Sequence, residues 1–176
     1  MNDKPLVINL IGGPGSGKST VAAGVFYELK KRGINCELVT EYVKDKVWEE
    51  QYKLMDEQIY ILGRQHHKIA RLQGKVDIIV MDTTLLSSII YDKTHSPALK
   101  ALCLEAFHNY NNRVFFIERS TKYSAAGRVE TEEVAKSIDR AYRDLMFDNH
   151  IRFKEVEVDD AVHDIIKTLE YEGYIK

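Results

Sequence analysis

An octet close to the start of the chain restricts the possible folds more than any other feature: Gly12-Gly13-Pro14-Gly15-Ser16-Gly17-Lys18-Ser19. It follows directly on the apolar, strand-length run 6–11. It opens the segment 18–31, in which Val21, Ala22, Val25 and Leu29 recur on one helical face. Glycine, four residues, glycine, lysine and serine between a strand and a helix is the P-loop pattern for holding phosphate. Glycines let the backbone wrap an anion without Cβ clashes, so that successive N–H groups point inward as a nest. The N-terminus of the following helix adds partial positive charge. Gly12 to Gly17, Lys18, Ser19 and Thr20 are therefore expected to bind a nucleoside triphosphate. Lys18 would reach the β- and γ-phosphates and the Ser19 hydroxyl would ligate Mg²⁺.

The rest of the chain alternates short apolar runs with longer helical patterns, which predicts a parallel sheet covered by helices on both faces. Strands are expected at 36–40, ending at Glu41, and at 77–81, closed by Asp82. Two more are expected at 114–117 and 153–158. The stretch 44–73 reads as long, polar and helical, with Ile59, Leu62 and Ile69 in step, and further helices are expected at 98–110, 131–149 and 161–171. Five parallel strands with helical crossovers make a three-layer α/β sandwich, and 176 residues suit a single domain over 1–176. Ligands in such sheets bind at the carboxyl ends of the strands. Gly12, Glu41, Asp82, Arg119 and Asp159 are thus expected along one edge.

Composition adds exclusions. A formal net charge of −2 provides no bulk positive field to draw in a membrane surface or nucleic acid, although a local basic groove fits within that total. Cys36 and Cys103 have no metal-type spacing and read as buried thiols in a reducing compartment. Met1-Asn2-Asp3-Lys4-Pro5 lacks the basic start and apolar stretch of a secretory signal, so the expected setting is the cytoplasm, with no membrane association. Monomer and homodimer are both compatible with this composition.

Several residues are candidates for chemistry. Asp82, behind an apolar strand, fits the acid that P-loop proteins set opposite the loop serine for Mg²⁺; a carboxylate capping the turn into Thr83 and Thr84 is the alternative. Glu41 is placed to accept the proton of an attacking hydroxyl, or is an ordinary solvated acid. Arg119, Lys122 and Arg128, near Gly127, bracket a loop that forms either a lid over triphosphate at about 119–130 or a solvated connector. Arg128 is the favoured contact to the migrating phosphoryl. Trp48, Tyr52, Tyr60, Arg64 and Gln65 fall in the long helical stretch, where aromatics stack on an acceptor base or fill core. His66 and His67 cannot share a helix face and are not expected to hold metal.

Taken in order, the P-loop, Val39-Thr40-Glu41-Tyr42, Asp56-Glu57-Gln58, Asp82-Thr83-Thr84-Leu85-Leu86 and Gly127-Arg128 resemble the ribosylnicotinamide-kinase-like P-loop kinases. That family includes many small bacteriophage proteins and lies within the deoxynucleoside and thymidylate kinase group. The resemblance implies the sheet order 2-3-1-4-5, a lid after the fourth strand, and Mg-ATP as phosphoryl donor. It also implies Glu41 and Asp82 as the family's acids after strands two and three, and Gln65 as a reader of the acceptor base. The chain departs from the ribosylnicotinamide kinases at Lys44, where those carry arginine; the resemblance implies the kinase chemistry, and the departure leaves the acceptor open among a free nucleoside, a nucleotide, nicotinamide riboside and a DNA base. The expected activity is transfer of the γ-phosphoryl of ATP to a hydroxyl of a nucleoside- or nucleotide-like acceptor. The alternatives are a kinase for a hydroxymethylated base, such as 5-hydroxymethyluracil, in phage DNA, and a nucleotide-dependent ATPase switch.

Overall fold

A computed structural model describes residues 4–119 and 131–176. Its central strand, β1 (Leu6–Ile11), is buried at all six residues, as an apolar strand covered on both faces should be. It pairs in parallel with β3 (Ile78–Met81) on one side and with β4 (Asn111–Glu118) on the other. Outside these lie β2 (Cys36–Val39), against β3, and β5 (Lys154–Glu157), against β4. The order is β2-β3-β1-β4-β5, which the family resemblance implied.

Alternation along β1 builds the two cores. Leu6, Ile8 and Leu10 pack with Val21, Val25 and Leu29 of α1 (Lys18–Lys31) and with Ile165 and Leu169 of α7 (Ala161–Tyr171). Val7 and Ile11 point the other way. They meet Leu62 and Ile69 of α3 (Gln58–Ala70), Phe107 of α5 (Pro97–His108), and Tyr142 and Met146 of α6 (Glu132–Asp148). Three layers result. The connections leaving β1 and β3 run in opposite directions, toward β2 and β4, so a crevice opens at their carboxyl ends. The glycine-rich loop lies at that crevice.

Local signals mark several of the element ends. Gly33, at φ +75°, follows α1. Ser96 caps α5, where its Oγ accepts from the Leu99 N–H, and Pro97 occupies the first turn. Thr131 caps α6 ahead of Glu132 and Glu133, acids that favour a helix N-terminus. Burial lifts the thiols of Cys36 and Cys103, the latter to about 12, so both stay protonated and inert. Among the described residues no helix is long and apolar enough to cross a membrane.

Two element expectations need correction, and one short helix was not expected. The stretch 44–73 is not one helix: α2 (Tyr42–Trp48) stops, a 3₁₀ turn covers Tyr52–Asp56, and α3 begins at Gln58. Glu50 breaks the helical path at φ +56°, in the left-handed region that a side chain rarely adopts inside a helix. β4 begins three residues early, because backbone pairing of Asn111–Arg113 with Leu6–Ile8 extends the strand through polar residues. The short α4 (Ser87–Tyr91) has too few residues to show a period.

Candidate active site

Residues 12–17 join the end of β1 to α1, and backbone geometry explains their composition. Gly17 is the N-cap of α1 at φ +93°, and a Cβ there would lie 2.5 Å from the Val158 Cγ2. A side chain at this position would therefore be strained and would clash. No side chain caps α1 and no acid lies in its first turn, so the orphan N–H groups of that turn face the crevice. This is what an anion needs.

Lys18 folds back over the loop, donating to the carbonyls of Gly12 at 2.7 Å and Gly13 at 2.9 Å. Burial depresses its pKa, and the nearby charges of Glu41, Asp82 and Asp139 oppose that depression. Ser19 accepts from the Lys44 ammonium at 3.3 Å. Asp82, 4% exposed, lies beneath these groups. Its Oδ1 has no hydrogen-bond partner, which is costly for a buried carboxylate oxygen. Burial raises its pKa, while the Ser19 hydroxyl and the Glu41 backbone N–H, both facing the carboxylate, pull it down. The Ser19 hydroxyl and an unsatisfied carboxylate oxygen form a hard-oxygen donor set that fits Mg²⁺. The described residues hold no cluster of three or more His, Cys, Asp or Glu, so any such ion would keep water or substrate oxygens as its remaining ligands.

That raised pKa carries a testable sign. A carboxyl that ionises at higher pH when folded than when unfolded costs stability as pH rises from its ordinary value of 3.8 through the raised one. The cost then persists at neutrality. In chelator-treated protein, Asp82→Asn should raise the thermal midpoint at pH 7, by about 2–4 °C for each kcal/mol recovered. The difference from wild type should shrink below about pH 4, where both states are protonated. Melting curves of the two proteins across pH check this; an unchanged or lower midpoint at pH 7 would contradict it.

Glu41 does not end β2. The strand stops at Val39, and Glu41 is the N-cap residue of α2, because the Tyr42 N–H turns inward to donate to Gln65 Oε1 at 3.0 Å. Its carboxylate still lines the cleft with Lys18 and Ser19. This cavity, of about 750 Å³, runs from Gly12, Pro14, Gly15 and Gly17–Thr20, with Gly13 and Ser16 set back from it, to a wall that includes Val47, Trp48, Met55, Ile61, Leu62 and Leu85. Across it, Ser87 Oγ lies 2.8 Å from the Tyr142 hydroxyl and 3.0 Å from Thr83 Oγ1. Burial pushes the Tyr142 phenol well above its ordinary value, so it stays protonated and available as a donor.

The aromatic candidates separate. Trp48 and Tyr52 line the cleft, yet are 70% and 51% exposed. Tyr60 and Arg64 do not line it: Tyr60 stands edge-on to the Tyr42 ring, and the Arg64 guanidinium lies over that ring at 5.2 Å. Gln65 does line it, but its amide oxygen is spent on Tyr42 and its nitrogen lies 3.5 Å from the Thr40 carbonyl. It shapes the turn that presents Glu41. Lys122, Gly127, Arg128 and the lid, except Arg119, lie outside the described residues, as does Ser120.

Arg119 is at the loop, at the end of β4, but paired: its guanidinium binds Asp139 at 2.5 Å and donates to the Pro14 carbonyl at 3.4 Å. Asp139 was not among the sequence candidates, nor were Ser87 and Tyr142. Its signal was present, since a charged residue on the buried stripe of Ala135, Ile138, Tyr142 and Met146 rarely lies there without a partner.

Comparisons with known proteins agree with this fold. A family model described as an AAA domain matches residues 7–162. Similar structures include a deoxyadenosine kinase from M. mycoides with dCMP and a flexible dCDP bound, with 22% identity, TM-score 0.64, and coverage of 94% of this chain and 99% of that one. A thymidylate kinase from Ehrlichia chaffeensis has 17% identity, TM-score 0.66 and coverage of 94% and 99%. NadR protein in complex with NR has 20% identity and TM-score 0.71; the match covers 96% of this chain and 52% of that one. No curated protein matches by sequence.

Proposed function

The chain belongs to the AAA domain family, and from that premise we propose that it is a P-loop kinase moving the γ-phosphoryl of ATP to a hydroxyl of a nucleoside- or nucleotide-like acceptor. One observation carries the reading. The phosphate-binding loop and an apolar, partly aromatic wall share a single cleft, with Glu41 on its lining. A switch ATPase has no use for an acceptor chamber of that size.

The triphosphate lies against the glycine-rich loop and the N–H groups of the first turn of α1, while the Gly13 N–H stays with Asp139. Lys18 leaves the Gly12 and Gly13 carbonyls for the phosphate oxygens, whose charge is the stronger partner. Glu41 takes the proton from the acceptor hydroxyl, whose oxygen forms the new bond to the γ-phosphorus as the bond to the β,γ-bridging oxygen breaks and ADP departs. Ser19 and Asp82 would hold Mg²⁺, which when bound neutralises phosphate charge. The hydroxyls of Tyr142 and Ser87 face the acceptor and restrict how it sits. Arg128 is assigned to the migrating phosphoryl, by its place in the sequence alone. Incubating the protein with labelled ATP and panels of nucleosides, nucleotides and DNA tests the reading. Transfer to one class supports it; hydrolysis of ATP with no labelled acceptor in any panel overturns it.

A second reading, phosphorylation of a hydroxymethylated base in DNA, is favoured by the lining of the exposed side of the cleft. Lys44, Lys53 and Lys93 lie there beside Trp48 and Tyr52, a combination that suits phosphates and an unstacked base. A base inside a duplex would have to be extruded to reach Lys18. On this reading, affinity for hydroxymethylated DNA should fall steeply between about 50 and 200 mM salt. Fluorescence anisotropy measures this; affinity that is flat across that range favours a small acceptor.

A further inference from the structure

Asp139 lies on α6, outside every motif that identifies the loop, and both of its carboxylate oxygens are engaged there. Oδ1 accepts from the Gly13 N–H at 2.5 Å, and Oδ2 accepts from the Arg119 guanidinium at 2.5 Å. The two side chains are 14% (Arg119) and 13% (Asp139) exposed, so the pair is largely desolvated and its geometry is well constrained. Arg119 also reaches the Pro14 carbonyl, which ties the end of β4, the loop and α6 into one cluster. The fit is close: a Cβ on Gly13 would lie 2.3 Å from the Ala135 carbonyl oxygen, and 3.0 Å from both Arg119 Nη2 and Asp139 Oδ1.

The orientation of the Gly13 peptide follows from this clamp. Its N–H is turned out of the nest toward α6, and its carbonyl is left facing Lys18. Arg119 keeps a buried Nε with no hydrogen-bond partner, a guanidinium donor still unspent beside the phosphate loop. The carboxylate therefore sets two things at once: the first turn of the loop, and the direction of an arginine at its edge.

We propose that Asp139 is a positioning residue for phosphoryl transfer, acting through the Gly13 amide and the Arg119 guanidinium without touching substrate. This rests on the nucleotide reading of the loop given above; only the acceptor is left open by it. Asp139→Asn keeps a carbonyl oxygen for the Gly13 N–H but turns an N–H₂ donor toward Arg119 and removes its counter-charge. The loop and Lys18 still bind ATP, so affinity survives while the arginine, without its buried counter-charge, loses its fixed direction. Turnover should suffer and affinity should not.

The test uses the full-length protein and two activities, basal ATP hydrolysis and transfer to whichever acceptor the panels identify. A wild type that hydrolyses ATP but labels no acceptor removes the kinase reading and leaves this proposal testable. In Asp139→Asn, kcat should fall by about tenfold or more, with the calorimetric Kd for ATP within about threefold of wild type and binding stoichiometry unchanged. Asp139→Glu should recover part of the turnover. Arg119→Gln combined with Asp139→Asn should be no worse in kcat than Arg119→Gln alone, because the two residues act along one route. A binding stoichiometry that falls in step with kcat indicates a merely structural role and overturns the proposal. So does a kcat within twofold of wild type, or a double variant whose losses multiply.

Discussion

Lys18→Ala is expected to leave a folded protein that binds ATP weakly and transfers phosphate at least about a hundredfold more slowly than wild type. The reasoning starts from where the ammonium rests. It rests half-buried against the Gly12 and Gly13 carbonyls, and desolvation there depresses its pKa. The charges of Glu41, Asp82 and Asp139 favour its protonated form. A half-buried cation held by carbonyl oxygens alone is in reserve for an anion that exceeds them as a partner. The triphosphate is that anion, and the charge spread over the transferred phosphoryl strengthens the contact further in the transition state. Alanine loses both contributions. It costs the fold little, because alanine is the best helix former at the first position of α1. Single-turnover assays with labelled ATP, alongside circular dichroism, check both halves. A folded variant within tenfold of wild-type activity would remove the loop from the mechanism.

Glu41→Gln is expected to separate chemistry from donor binding. Turnover should drop by about 10²–10⁴, the range for losing a positioned general base, while ATP affinity stays close to wild type. Glutamine preserves shape and hydrogen bonding at the start of α2 but cannot take a proton. Tyr42 should keep its bond to Gln65, so the turn itself should hold. ATP titration followed by steady-state kinetics with a working acceptor measures the split. If Glu41→Gln loses ATP binding as severely as Lys18→Ala, then the carboxylate serves the donor and the division of roles is wrong. The same experiment bears on the Lys18 argument, since Glu41 is the first of the charges that oppose the depression of its pKa.

What the sequence determined by itself is local in its physics. Glycine spacing before a lysine, an apolar run of strand length and a helical stripe each follow from neighbours within a few residues. α1 and α7 accordingly lie where the periodicity placed them, and of the residues expected at strand ends, Gly12, Glu41, Asp82 and Arg119 lie around one crevice. Where elements were misread, the cause was an effect that pattern does not carry. Backbone pairing extended β4 through polar residues, and a left-handed residue at Glu50 separates α2 from the elements that follow it in 44–73. Only the tertiary structure decided which side chains finish the site. Asp139 meets Gly13 across 126 positions of chain, and Gln65 meets Tyr42 across 23. Such contacts depend on how α6 and α3 cross the sheet and at what height. No spacing in the sequence encodes that height. It is set when both faces of β1 bury their alternate residues, so a carboxylate on a buried helical stripe receives its partner only once the layers have closed.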